Sequence, residues 1–209
     1  MRIIPAILAT NVTELLEKCA RVDQLVDRIQ IDIVGRAFSA EVSVGVEALE
    51  QISSALSLDV QLMVGEPIAY LNRCDLAGAS RVFGHVEHMR DPRAFIEYGF
   101  SLGMEVGLAV DLPTPIVAIE RSIADLDSVL LMSVPAGRSG QLFDERVFGK
   151  IAEVKALRPD LPICVDGGIT PSVVKQLVSE GATEFAVGNF LWESKDIGKA
   201  IANLSKAVQ

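Results

Sequence analysis

Two aspartates stand where short apolar runs give way to glycine. Asp166 closes the run Ile163, Cys164, Val165 and is followed at once by Gly167 and Gly168, while Asp32 sits in Gln30-Ile31-Asp32-Ile33-Val34, just ahead of Gly35. Such a run reads as a strand buried on both faces, and an acid at its end leaves the core where α/β enzymes keep their chemistry. The paired glycines let backbone approach a ligand. Thr170 and Pro171 read as the N-cap and first residue of a helix whose free N–H groups favour a phosphate. Two carboxyl groups on opposite sides of a substrate suit the removal of a proton from one face of a carbon beside a carbonyl and its return to the other, which is epimerisation. Each acid also has a plainer reading: a turn cap for Asp166, an ion pair with Arg28 or Arg36 for Asp32.

The elements that must position them alternate along the chain. β-rich runs fall at Arg2–Leu8, Arg28–Ile33, Leu58–Met63, Arg81–Val86, Glu105–Val110, Ser128–Ser133, Pro162–Val165 and Glu184–Val187. Between them lie helical faces such as Val12, Leu15, Leu16 and Cys19, or Val173, Val174, Leu177 and Val178. Asn11 with Glu14 marks a helix start, and Pro67, Pro92, Pro115 and Pro171 stand at first helical positions. Eight such units in one chain of 209 residues predict a small (β/α)8 barrel, a single domain over 1–209. A doubly wound open sheet is the alternative, disfavoured because no phosphate loop follows the first strand.

In a barrel the ligand-facing residues lie at the C-terminal ends of the strands. They are Gln30, Asp32 and Arg36 at the second, Gln61 and Met63 at the third, His85 and Glu87 at the fourth, and Asp111 at the fifth. The sixth is followed by Ser133, Gly137, Arg138, Ser139 and Gly140, the seventh by Gly167 and Gly168, the eighth by Gly188 and Asn189. Glycine in three consecutive loops of one face predicts a phosphate cradle. Composition limits the partners. With 19 basic against 28 acidic residues, nucleic acid and anionic membranes are poor matches. Cys19, Cys74 and Cys164 are scattered, and no window has the ~20 apolar residues of a membrane span, so a reduced cytoplasmic setting is expected.

Six segments, IIPAIL, IQIDIV, DVQLMV, GHVE, LLMSVPAGRSGQLF and ICVDGGIT, in this order and spacing, resemble the ribulose-phosphate 3-epimerase family. The resemblance implies a (β/α)8 barrel, interconversion of ribulose 5-phosphate and xylulose 5-phosphate through an enediolate, a divalent metal, Asp32 and Asp166 as acid and base, phosphate loops at the glycines above, and a homo-oligomer. It also exposes departures. The family's metal is held by two histidines and two aspartates, and the histidine positions are here Gln30 and Gln61; a serine early in the first strand is Ala6. A set of Gln30, Asp32, Gln61 and Asp166 suits zinc or iron poorly and holds magnesium or manganese at most loosely. Amides of Gln30 and Gln61, His85, Arg36 and Arg138 are then the groups left to carry enediolate charge. An inactive relative that keeps the phosphate site for binding or regulation is the alternative function.

Overall fold

The computed structural model describes residues 1–208. Eight parallel strands, β1 (Arg2–Ile7), β2 (Arg28–Val34), β3 (Ser57–Met63), β4 (Ala79–His85), β5 (Glu105–Val110), β6 (Ser128–Met132), β7 (Ile163–Asp166) and β8 (Glu184–Val187), pair in chain order, and β8 pairs back onto β1. The sheet is closed, which removes the open-sheet alternative. Among the described residues seven α-helices cover it: α1 (Val12–Val22), α2 (Leu71–Leu76), α3 (Pro92–Ser101), α4 (Arg146–Leu157), α5 (Pro171–Ser179), α6 (Asn189–Trp192) and α7 (Ile197–Ala207). Starts follow local chemistry: the Asn11 and Asp91 side chains accept N–H bonds from the first turns of α1 and α3. Thr170 holds the N-cap position of α5 with its hydroxyl turned to Ser172 instead.

Two connections depart from the expected helices. After β2 the chain makes one 3-10 turn, Val46–Gln51, and after β5 two, Ile116–Ala118 and Ile123–Asp125. Pro115 therefore introduces a single tight turn. Ile116, Ile119, Ile123 and Leu126 still bury their side chains, so these short turns seal the barrel wall where a full helix was expected.

Inside the cylinder the residues form distinct zones. Ala6, Phe83, Ala109, Leu130, Met132, Cys164 and Ala186 fill the middle. Phe83 has room because β5 offers Gly107, where a Cβ would come within 2.5 Å of the ring. At the N-terminal end lies a charged layer: Arg81 bridges Asp59 and Glu184, Arg28 pairs with Asp59 at 2.6 Å, and Arg2 reaches Glu184 at 3.2 Å. Arg28 is thus committed to Asp59, away from Asp32. The C-terminal end is left for the acids.

Candidate active site

Gln30 and Asp32 are two positions apart on β2, so both enter the barrel, and Asp32 is in register with Gln61 on β3. Asp166 arrives from the last position of β7. One nitrogen ties these four side chains together. Gln30 Nε2 lies 2.8 Å from Asp32 Oδ1, 2.8 Å from the Gln61 amide and 2.9 Å from Asp166 Oδ2, so its two N–H bonds are shared among them. The two carboxyl groups therefore face each other at the same end of the molecule, linked through a single amide.

The pair is electrostatically loaded. Burial raises the Asp32 carboxyl to about 6, against the partial relief of its Gln30 hydrogen bond and the Lys18 charge. Asp166, only 9% exposed, is raised well above the ordinary range, first by burial and then by the neighbouring Asp32 charge. Two carboxylates this close favour keeping one proton between them.

Both acids open into a cavity of about 410 Å³ whose wall includes Met63, Met132, Gly137, Arg138, Ser139, Gly140, Gly167, Gly168, Gly188 and Asn189. The glycines are required by shape. Gly167 and Gly168 have φ of 112° and 59°, and a Cβ on Gly168 would overlap the backbone nitrogen of Phe143. Arg138 is exposed at the rim, and Arg36 is exposed outside the lining.

Four of the expected ligand-facing residues lie beneath the cavity instead. Gln30, Gln61, His85 and Ser133 are fully buried and form no part of its wall. Ser133 donates its hydroxyl to the carbonyls of Asp166 and Gly167, fixing the turn that carries the acid. His85 lies with Nε2 2.9 Å from Gln61 Nε2 and Nδ1 3.1 Å from Glu87 Oε2, so it reaches the acids only through Gln61. Burial opposes ionisation of Glu87, but hydrogen bonds from His85 and from the Asp111 N–H outweigh it and hold the carboxyl at about 2. Asp111 accepts from Leu112 and Ala136 backbone and anchors the loop after β6. Alternation along a strand gives the face a residue occupies; depth below the mouth comes from barrel geometry.

Lys18 was not foreseen. It enters the cavity from α1, with Nζ donating to Leu8 O at 2.8 Å and to Glu14 Oε1 at 2.7 Å, beside the Trp192 ring. Trp192 also lines the wall and donates Nε1–H to Ala6 O at 2.6 Å. Helical residues carry no mark of this in the strand-end pattern; the signal is the break of α1's surface by a half-buried lysine.

The donor set does not fit a divalent cation. With the Gln30 amide oriented as it is, a nitrogen with no lone pair to give stands between the carboxyl groups, 2.8 Å from Asp32 Oδ1 and 2.9 Å from Asp166 Oδ2. Among the described residues no three His, Cys, Asp or Glu side chains group as metal ligands.

The family model described as "Ribulose-phosphate 3 epimerase family" matches residues 2–192. The chain belongs to the ribulose-phosphate 3-epimerase family. It is 32% identical to ribulose-phosphate 3-epimerase of Bacillus subtilis over 98% of each chain, and 30% identical to the chloroplastic ribulose-5-phosphate-3-epimerase of Arabidopsis thaliana over 96% of this chain and 74% of that one. The barrel is similar to 3-hexulose-6-phosphate synthase from Salmonella typhimurium, with a TM-score of 0.71, 19% identity, and coverage of 100% of this chain and 98% of that one. It is also similar to KGPDC from Streptococcus mutans, with a TM-score of 0.76, 12% identity, and coverage of 99% and 95%. At those identities the structural likeness concerns the fold.

Proposed function

We propose that this family member epimerises a phosphorylated ketose, of the ribulose 5-phosphate and xylulose 5-phosphate kind, at the carbon next to the carbonyl. The observation that carries the reading is the sharing of one amide nitrogen by Asp32 and Asp166 under a cavity walled by glycine loops. A substrate whose phosphate lies against Gly137–Gly140, Gly167, Gly168, Gly188 and Asn189 would present its reacting carbon to both acids. The ionised member of the pair takes the proton from one face, the protonated member delivers one to the other, and the enediolate between them is neutralised by the returning proton. Raised carboxyl affinities serve both halves, since a base near neutrality and an acid that keeps its proton are both required. Met63 and Met132 give the reacting carbons an apolar floor. The cytoplasm and self-association belong to the same reading.

The alternative, a phosphosugar binder without turnover, draws on the same amide: Gln30 occupies the acids' hydrogen-bonding positions that a substrate hydroxyl would need. Incubation of each chirally pure pentulose 5-phosphate in heavy water, followed by proton NMR, separates the two. The enzyme exchanges and inverts one carbon-bound hydrogen, and Asp32→Asn or Asp166→Asn slows this by about 10²–10⁴-fold. Binding without exchange in the parent overturns the enzyme reading.

A further inference from the structure

The position that unites Asp32, Gln61 and Asp166 is filled by the Gln30 carboxamide NH2 whichever way the Gln61 amide points. With Gln30 Nε2 at the centre, Gln61 turns its own NH2 to His85 Nε2 at 2.9 Å. With the Gln61 amide reversed, its nitrogen donates to Asp166 Oδ2 at 2.9 Å and to Asp32 Oδ1 at 3.1 Å, while its oxygen accepts from His85 Nε2 at 2.9 Å. In each arrangement two N–H bonds of a neutral group point at two acidic oxygens, and the second glutamine and His85 lock the orientation from below. The group is rigid and dry: Gln30, Gln61 and His85 are all without solvent exposure.

We propose that the Gln30–Gln61 amide pair replaces a divalent cation in this site, so that the chain binds no metal between its two aspartates and holds them together by hydrogen bonds. Three physical points support it. A cation would have to eject the central nitrogen, leaving buried amide groups without partners, and burying an unpartnered polar group is costly. The same amide does part of what a cation would do, since its N–H groups keep an oxygen of each carboxyl group within reach of the other. Gln30 Oε1 is buried without a partner, so only the contacts of its nitrogen fix which way the amide points. The consequence for chemistry rests on the epimerase reading above: the charge developing on the enediolate is met by N–H donors and a shared proton, with no Lewis acid involved.

The test has two independent arms. Metal is removed from purified protein with a chelator, and Co2+ is titrated into the parent and into Gln30→His/Gln61→His, followed by calorimetry and by the visible ligand-field bands of Co2+. The parent should take up no Co2+ at this site, whereas the double variant, whose imidazoles restore nitrogen donors beside the aspartates, should bind roughly one Co2+ per chain. Stoichiometric Co2+ binding by the parent that disappears in Asp32→Asn overturns the inference, whatever the protein's activity. A parent and double variant that both fail to bind, with both folded by circular dichroism, also overturn it, because the amides would then not be what excludes the ion. In the second arm, parent turnover of pentulose 5-phosphate should change by no more than about twofold on adding chelator or Mn2+, whereas several kcal/mol of lost charge stabilisation would abolish a metal-dependent rate. Absence of turnover in every condition fails the epimerase reading and leaves the Co2+ result standing.

Discussion

Two acids sharing one amide have a cost that can be measured without any substrate. Both carboxyls have folded-state affinities raised above the unfolded value of about 4, Asp32 to about 6 and Asp166 well above the ordinary range. The folded chain therefore binds more protons than the unfolded chain between about pH 4 and the raised values. The stability this confers is complete below about pH 4 and is lost as the pH rises through 6. Asp32→Asn/Asp166→Asn removes the repulsion and the titration together. Thermal melts across pH 4.5 to 8 should show the double variant gaining on the parent as the pH rises, with the gap closing toward the acid end. Parallel curves would mean that neither carboxyl is raised in the folded protein, by burial or by its neighbour.

At the scale of the strand, the two ends of the barrel do opposite work. The N-terminal end is stapled by Arg81, a residue 3% exposed whose guanidinium joins Asp59 to Glu184 and lies 4.7 Å from the Phe83 ring centroid. Replacing a buried ion pair by apolar groups can be neutral, whereas removing one partner leaves buried carboxylates short of a counter-charge. Arg81→Met should thus cost about 3–5 kcal/mol in urea unfolding, and Arg81→Met/Asp59→Leu should recover part of it. Equal losses in the single and double variants would show that the aromatic stacking, and not the charge pairing, is what matters. The eight strands were legible because runs buried on both faces are hard to mistake, and Asp166 because an acid followed by two glycines breaks such a run. The Arg81 layer was not: its partners are 22 and 103 residues away, and nothing local announces them. The burial of His85 and Ser133 below the cavity is likewise not local information, since strand alternation gives a side chain's face and not its depth. Lys18 was hidden because it approaches from a helix.

The whole molecule decides whether a phosphate can be held in the proposed way, because the segments of the proposed cradle lie far apart in the chain. Gly137–Gly140, Gly167–Gly168 and Gly188–Asn189 come together only when β6, β7 and β8 are closed against β1, and Trp192 bonded to Ala6 O fastens that closure. A phosphosugar should accordingly bind the folded chain and not the unfolded one. Binding at 100 times the dissociation constant adds about 2.7 kcal/mol to stability. In a chain of this size each kcal/mol raises the melting temperature by roughly 2–4 °C, so the expected shift is roughly 5–10 °C. The net charge of −9 opposes an arriving dianion, so the shift must come from local groups: the glycine loops, with Arg138 at the rim. The unphosphorylated pentulose should give almost no shift. Gly168→Ala, which places a methyl against the Phe143 backbone at a φ of 59°, should lower the parent melting temperature and also shrink the ligand-induced rise. An equal rise with and without the phosphate would place the binding energy on the sugar hydroxyls, and the three glycine loops would then be turns alone.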